Sequence, residues 1–244
     1  MNADADSRRP QQMREQGYTH GRLGDVLDAQ LLRSAEWKQF ADSWSNLRQD
    51  GYMADGGTYR ERRYSEFRYD LAADTLTLLP HVPYRQSRDV NYLNGGIDRH
   101  FDAMEGHVAD SPVLRSIFRW CATVLSGADA TGSTDAWKIQ TFQNRILARS
   151  DEQGQPTPEG IHRDGVDHVL TLLVERASVA GGLSRIYDAR TRECLGEVVL
   201  TEPGEFLFAD DERMLHSVTP LTPESAGAPG HRDVLIAMFS RTSN

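Results

Sequence analysis

The stretch Gly160-Ile161-His162-Arg163-Asp164-Gly165-Val166-Asp167-His168-Val169-Leu170-Thr171-Leu172-Leu173-Val174 organises the reading of this 244-residue chain. An imidazole and a carboxylate stand two positions apart just ahead of a β-branched and leucine-rich run, the composition of a strand. In an extended strand residues i and i+2 project to the same side. His162 and Asp164 therefore present a nitrogen and an oxygen ligand together while Arg163 points away. A third ligand is at hand in Met214-Leu215-His216-Ser217-Val218-Thr219-Pro220.

The triplet H-x-D occurs three times, as His100-Phe101-Asp102, His162-Arg163-Asp164 and His231-Arg232-Asp233. The first is followed by Ala103-Met104-Glu105-Gly106-His107, which lacks strand character, and the third has no later histidine to complete a site. Taken alone, a histidine and an aspartate of this spacing also suit a loop in which both are satisfied by hydrogen bonds. The strand context and His216 select the second triplet. Two histidines and one carboxylate form the facial ligand set of non-haem Fe(II) oxygenases.

From Trp137 onward, seven short strands are expected, at 137–148, 165–175, 183–188, 194–200, 205–209, 213–219 and 232–240. Turn residues separate them, among them Gly181-Gly182, Asp188 to Arg192, Pro203-Gly204 and Asp210-Asp211. Thr75 to Leu79 reads as a further strand, and Pro80-His81-Val82-Pro83-Tyr84 as an extended connector that prolines bar from helix. The expected fold is mainly β, a double-stranded β-helix (a jelly-roll, cupin-like core) with flanking N-terminal α-helices. One helix spans 34–48, with Trp37, Phe40, Trp44 and Leu47 on one face. Another starts at an N-cap Ser111 and Pro112 and keeps helical spacing from Val113 to Gly127. Between them, Tyr59 to Leu71 gathers Arg60, Arg62, Arg63 and Arg68 among tyrosines. Most of these charges are expected in solvent, with one arginine available to a substrate carboxylate. Residues 1–16 are polar and aperiodic, which predicts a disordered leader. Residues 17–244 then form a single domain, helical to 136 with its β core over 137–241.

Hydrophobic residues make up 39% and charged residues 26%, with a net charge of -9. That balance fits an ordinary globular protein and argues against a phosphate-binding nucleic-acid surface, leaving small-molecule chemistry. No basic-then-apolar leader is present, and no run approaches the ~18 apolar residues that would span a bilayer, so a cytoplasmic protein without membrane contact is expected. Cys121 and Cys194 lie far apart, which predicts no disulfide and no thiolate zinc site, with both thiols reduced and buried.

If His162 and Asp164 open the second of these strands and His216 lies on the sixth, the three converge at one mouth of the barrel. Three adjacent coordination positions stay free there, enough for a chelating cosubstrate and dioxygen. 2-Oxoglutarate suits such a site, provided that a guanidinium meets its distant carboxylate. Arg232, at the start of the last strand, ranks first for that role, Arg145 second and Arg241 third. His168 shares the parity of His162 and Asp164. It stands roughly 13 Å of extended chain beyond Asp164, at ~3.3 Å per residue, which gives it a cavity or core role and no place on the metal. Asp210 and Asp211 are expected to form a turn, and His231 to have no metal role.

Several spaced blocks carry a resemblance: Asp50 to Arg60 (DGYMADGGTYR), Pro80 to Tyr84 (PHVPY), Asn94 to Ile97 (NGGI), Pro158 to Gly165 (PEGIHRDG), Asp210 to Pro220 (DDERMLHSVTP) and Arg232 to Leu235 (RDVL). From residue 50 to the C-terminus the sequence resembles the bacterial Fe(II)/2-oxoglutarate dioxygenases that hydroxylate free aliphatic amino acids, the isoleucine 4-dioxygenase group. The resemblance implies Fe(II) on His162, Asp164 and His216, 2-oxoglutarate held by Arg232, O2 as co-reactant and ascorbate as a stimulant. It implies hydroxylation of an unactivated C–H bond of a free L-amino acid such as isoleucine, leucine or methionine, or a biosynthetic analogue, with release of succinate and CO2. Related halogenases carry a small residue at the carboxylate position, so Asp164 favours hydroxylation. Two other classes fit the same ligands: a metal-dependent hydrolase or isomerase on a cupin-like barrel, and a non-catalytic small-ligand-binding jelly roll.

Overall fold

Three long strands form the centre of the molecule, because each alternates side chains between two faces that are both covered. The computed structural model describes residues 3–129, 134, 136–225 and 227–242. Its first half contains helix α1 (Ala3–Gln16), strand β1 (Tyr18–Arg22), helices α2 (Leu23–Val26) and α3 (Ala35–Asp42), strands β2 (Arg48–Gln49), β3 (Arg60–Asp70) and β4 (Thr75–Leu78), and helices α4 (Gly106–Ala109) and α5 (Pro112–Ala128). Strands β5 (Ala136–Ala148), β6 (His168–Ala177), β7 (Val179–Gly181), β8 (Leu183–Asp188) and β9 (Cys194–Val199) follow. The last are β10 (Glu205–Asp210), β11 (Met214–Val218), β12 (Leu221–Pro223) and β13 (Gly230–Thr242).

The major sheet runs β1-β10-β6-β13-β5-β3-β2, with β4 paired to β3; β8 joins β11 to β9 in a smaller sheet, and β12 pairs with β7. Every one of these pairings is antiparallel. This is the double-stranded β-helix that the turn spacing predicts, with a cavity between the major sheet and β11.

Register decides what the cavity contains. Across β3, β5 and β13 the rows are Arg60–Ile146–Arg232, Arg62–Asn144–Val234 and Tyr64–Phe142–Ile236. These side chains turn inward, apart from Tyr64 all onto the cavity itself. The alternate residues, Phe67, Trp137, Ile139, Leu235, Ala237 and Phe239, form the helix-facing core with Val113, Leu114, Ile117, Phe118, Cys121 and Val124 of α5. Helix α5 begins as its sequence predicts, with Ser111 Oγ accepting from the Val113 N–H and Pro112 in the first turn. Fully buried leucine, isoleucine and phenylalanine side chains contribute about 1.5–3 kcal/mol each, so this face supplies much of the stability.

Four expectations change. Residues 1–16 were expected as a disordered leader, yet Ala3–Gln16 is helical. A single apolar anchor is enough: Met13 is 2% exposed in the helix-facing core, Arg14 donates to the Gly127 carbonyl, and Arg9 reaches Thr19 Oγ1 and covers the Phe206 ring. The helix predicted at 34–48 stops at Asp42 and continues as a 3₁₀ turn, so Trp44 and Leu47 are buried from a tighter path. Arg60 to Asp70 is a strand, and Arg60, Arg62 and Arg63 are buried rather than solvated. Beyond residue 136 nine strands occur instead of seven, because the three-residue strands β7 and β12 pair only with each other. No helix among the described residues is long and apolar enough to cross a membrane.

His168 lies in the core, its ring 5.8 Å from that of Trp137, and burial pushes its pKa down to about 4. The unfolded chain takes up this proton near pH 6.5 and the folded chain resists it. The contribution is therefore complete above pH 6.5 and is lost as the pH falls towards 4, by about 3 kcal/mol in all. His168→Phe should remove that part of the acid sensitivity, so that urea midpoints at pH 7 and pH 4.5 differ less than in the parent. An unchanged difference would place the acid-labile group elsewhere.

Candidate active site

Glycines at 160 and 165, with φ of +77° and +81°, bracket the His162-Arg163-Asp164 triplet. The strand expected from 165 starts at His168, so the triplet lies on the connection ahead of β6. What places His162 is an isolated antiparallel bridge to β11. Its N–H donates to the His216 carbonyl at 3.0 Å and its carbonyl accepts the His216 N–H at 2.8 Å. The two imidazoles consequently lie side by side, with ring centroids 4.4 Å apart.

Asp164 completes the group. Its Oδ2 is 3.5 Å from His216 Nε2 and its Oδ1 is 4.0 Å from His162 Nε2, and one ligand atom from each of the three residues lies within 4.8 Å of the others. His162 Nδ1 faces the Gly160 carbonyl at 2.9 Å, so that an Nδ1–H donates there and the Nε2 lone pair is left facing Asp164. Burial pushes His216 down to about 4 and leaves it neutral at pH 7, the form in which imidazole binds a metal; burial also raises the Asp164 carboxyl. Two imidazole nitrogens and a carboxylate oxygen gathered this closely are the donor types that divalent metals take, so the set fits such an ion.

The structure adds a residue that the sequence reading treated as a turn former. Asp211 is 1% exposed, and its carboxylate accepts the N–H groups of Asp164, Gly165 and Val166 at 3.0, 2.7 and 3.1 Å. Gln86 donates to the Asp164 carbonyl at 3.1 Å. Asp210 does form the turn, accepting from the Glu212 and Arg213 N–H groups. Only a fixed set of orphan amides in a loop explains the buried Asp211, and no local pattern in Asp210-Asp211 announces it.

Of the three arginine candidates, only Arg232 lines the cavity. It is 1% exposed, and its Nε and Nη2 have no hydrogen-bond partner among the described residues. Burial and then Arg176 push it down to about 10. A desolvated guanidinium with no anion is strongly unfavourable, so a carboxylate-bearing ligand fits here. Arg145 has the opposite parity. It makes a bidentate pair with Asp233 at 2.8 and 2.7 Å on the other face of the sheet, away from the cavity, which corrects its candidacy as a cosubstrate ligand. Arg241 pairs with Asp167 and lies over Trp137. Glu175, His231 and Asp233 also bring ligand atoms within 4.8 Å of one another, but Arg145 occupies both Asp233 oxygens. Cys121 is buried as expected, whereas Cys194 is exposed on the edge strand β9.

The cavity, of about 90 Å³, is walled by Glu159, Gln86, Asn91 and Arg99 beside the ligand cluster and floored by Phe142, Ile236 and Met238. Glu159 and Arg99 went unread at the sequence level. The one available signal was an acid three residues ahead of His162.

A double-stranded β-helix with two histidines and a carboxylate at its mouth defines the class of non-haem iron oxygenases. The chain belongs to the 2OG-Fe dioxygenase family, whose model matches residues 41–238. It is 26% identical to L-isoleucine-4-hydroxylase of Bacillus thuringiensis over 195 residues, or 80% of this chain and 79% of the relative. Among solved structures it resembles a bsmA homolog from Methylobium petroleophilum PM1 with a TM-score of 0.85 and 28% identity, covering 97% of this chain and 93% of that one. The structure of IDO from Bacillus thuringiensis has the same fold, with a TM-score of 0.79 at 21% identity over 98% of this chain and 96% of that one. The chain is accordingly a 2-oxoglutarate-dependent dioxygenase that uses Fe(II) and O2. The hydrolase and binding-module readings fall away.

Asp211→Ala should free three backbone N–H groups under the ligand loop and weaken Fe(II) binding by about 10- to 100-fold, the usual cost of losing the support behind a metal ligand. Anaerobic Fe(II) titration reads this directly. Parent-like affinity would remove Asp211 from the metal site.

Proposed function

We propose that this dioxygenase hydroxylates an unactivated C–H bond of a free L-amino acid with an aliphatic side chain, such as isoleucine, leucine or methionine or a biosynthetic analogue, releasing succinate and CO2. One observation carries the reading: a single cavity joins the His162, Asp164 and His216 cluster to a buried, anion-free Arg232 across an apolar floor. His162, Asp164 and His216 would hold Fe(II), and Arg232 the far carboxylate of 2-oxoglutarate. Bound iron with 2-oxoglutarate and O2 supplies the oxidising power for C–H cleavage and returns the oxygen atom.

The chain's own residues do the rest. Neutral His216 offers a nitrogen lone pair without a proton to lose, and the bond from His162 Nδ1 to the Gly160 carbonyl turns Nε2 towards Asp164. Asp164 supplies the anionic ligand, which leaves no gap in the protein's donor set for a halide. Arg232 orients the cosubstrate lengthwise through a charge-assisted bond made away from water. Phe142, Ile236 and Met238 exclude water from an aliphatic side chain and hold it by burial alone.

The test is succinate formation from Fe(II), ascorbate, O2 and 2-oxoglutarate, with and without a panel of free amino acids, followed by mass analysis. Succinate rising with an amino acid, beside a product heavier by one oxygen atom, is the expected result. A panel in which no amino acid raises succinate would sink the substrate class. Asp164→Ala should abolish turnover. Arg232→Ala should raise the KM for 2-oxoglutarate by about 10- to 100-fold, the worth of a charge-assisted hydrogen bond, and shift the amino-acid KM far less. The reverse split would give Arg232 to the amino acid.

A further inference from the structure

A cation and an anion face this cavity from the same wall without meeting. Arg99 is 3% exposed; its guanidinium lies 4.7 Å from the Tyr84 ring centroid, its Nη2 donates to Gln86 Oε1 at 2.9 Å, and its Nε has no partner among the described residues. The Glu159 side chain is 10% exposed, with Oε1 3.6 Å from His162 Nε2 and Oε2 without a partner among the described residues. Asn91 stands between them. Its Nδ2 reaches Gln86 Oε1 at 3.3 Å and Glu159 Oε1 at 3.4 Å. Two amides thus link the opposite charges and keep them apart. A direct ion pair would satisfy both groups; the spacers instead leave each with a buried polar atom unused, which is unfavourable until a ligand completes it. The nearby acid does not relieve the shortage of anions, because Asp50 is committed to Arg62 at 2.9 Å and lies 3.9 Å from Arg60 Nε, and neither Nε nor Nη2 of Arg60 makes a hydrogen bond among the described residues.

A ligand that inserts between such groups carries a negative and a positive charge close together and is neutral as a whole. We infer that Arg99 and Glu159 form a receptor for the zwitterion of a free α-amino acid, with the substrate carboxylate on Arg99 and its ammonium on Glu159. This rests on the amino-acid reading above and adds to it an orientation and an exclusion. The ammonium sits beside His162, so the carbons beyond Cα start their path next to the metal ligands and run along Phe142 and Ile236. N-acylated residues, simple carboxylic acids and amines lack one of the two charges and leave a buried partner unpaired, the kind of mismatch that a polar site rejects most strongly.

The receptor is tested by calorimetry on protein loaded with Mn(II) and 2-oxoglutarate, which binds without turning over. The probes are isoleucine, leucine and methionine, each beside the carboxylic acid that lacks its amine and the amine that lacks its carboxylate. In the parent the best amino acid should bind at least about 100-fold tighter than either of its analogues. Glu159→Gln should weaken the amino acid by about 10- to 100-fold and leave the amine-free acid within twofold of the parent. Arg99→Gln should do the reverse, sparing the carboxylate-free amine, and Arg99→Lys should recover part of the loss. Variants that bind the amino acid like the parent, that weaken all three ligand types equally, or a parent that does not prefer the zwitterion, would overturn the inference. The two readings separate cleanly: amino-acid-dependent succinate with unchanged variant binding removes the receptor alone, whereas zwitterion binding without succinate removes hydroxylation alone.

Discussion

Two backbone hydrogen bonds between His162 and His216 hold the site together, and the rest of the structure serves to keep them in place. They join the loop before β6 to β11, and Thr157 extends the same seam through its hydroxyl, which bonds both the N–H and the carbonyl of Val218. Because the bridge is made by main chain, it brings the imidazoles together whatever the side chains do, and the side-chain bond from His162 to Gly160 then only has to set the tautomer. Asp211 completes the constraint from the end of β10. Past the bridge, the Asp211 carboxylate collects the amides of Asp164, Gly165 and Val166. An anion buried for this purpose is stabilised by dipoles rather than by a counter-charge, and so it adds no cation next to His162, Asp164 and His216.

The major sheet has two unlike faces, which reflects a division between stability and chemistry. The helix-facing side is close-packed aromatic and aliphatic, with Phe118, Phe239, Phe206 and Trp120 in edge or tilted contact. The cavity side holds Arg60, Arg62 and Arg232 in the same ladder. A fold under selection for stability alone would have no reason to bury three guanidinium groups across one sheet against a single aspartate, Asp50. Their cost is offset by the close-packed opposite face.

Much of the β architecture was legible because β5, β6, β8 to β11 and β13 are β-rich runs separated by glycine, proline and aspartate turns; β8 is found at the predicted boundaries. Strand β3 was not legible, since its inward residues Arg60 and Arg62 look like solvent-facing charges until a cavity is known to lie beneath them. Residue type and order singled out His162, Asp164 and His216, which the structure brings together through a bridge to β11 and a glycine-bounded connection ahead of β6. Parity did separate Arg232 from Arg145, yet only after the register of β13 against β5 was fixed. Asp211 and Arg99 meet neighbours that are remote in sequence, and no local pattern marks them. The N-terminal helix escaped for a related reason, because one buried methionine and two arginines leave no periodic trace.

The connection between β4 and α4 carries Gln86, Asn91, Asn94 and Arg99, and its two ends are tied by reciprocal backbone bonds between Tyr84 and Arg99, each 2.9 Å long. The iron-ligand candidates, Arg232 and the apolar floor all come from elsewhere in the chain. Tyr84 and Arg99 thus act as a clasp around a detachable insert, whose interior can change length or composition while the clasp holds its ends at a fixed separation. In evolutionary terms, this wall of the cavity and the His162, Asp164 and His216 cluster are encoded by different stretches of the gene and are free to diversify at different rates.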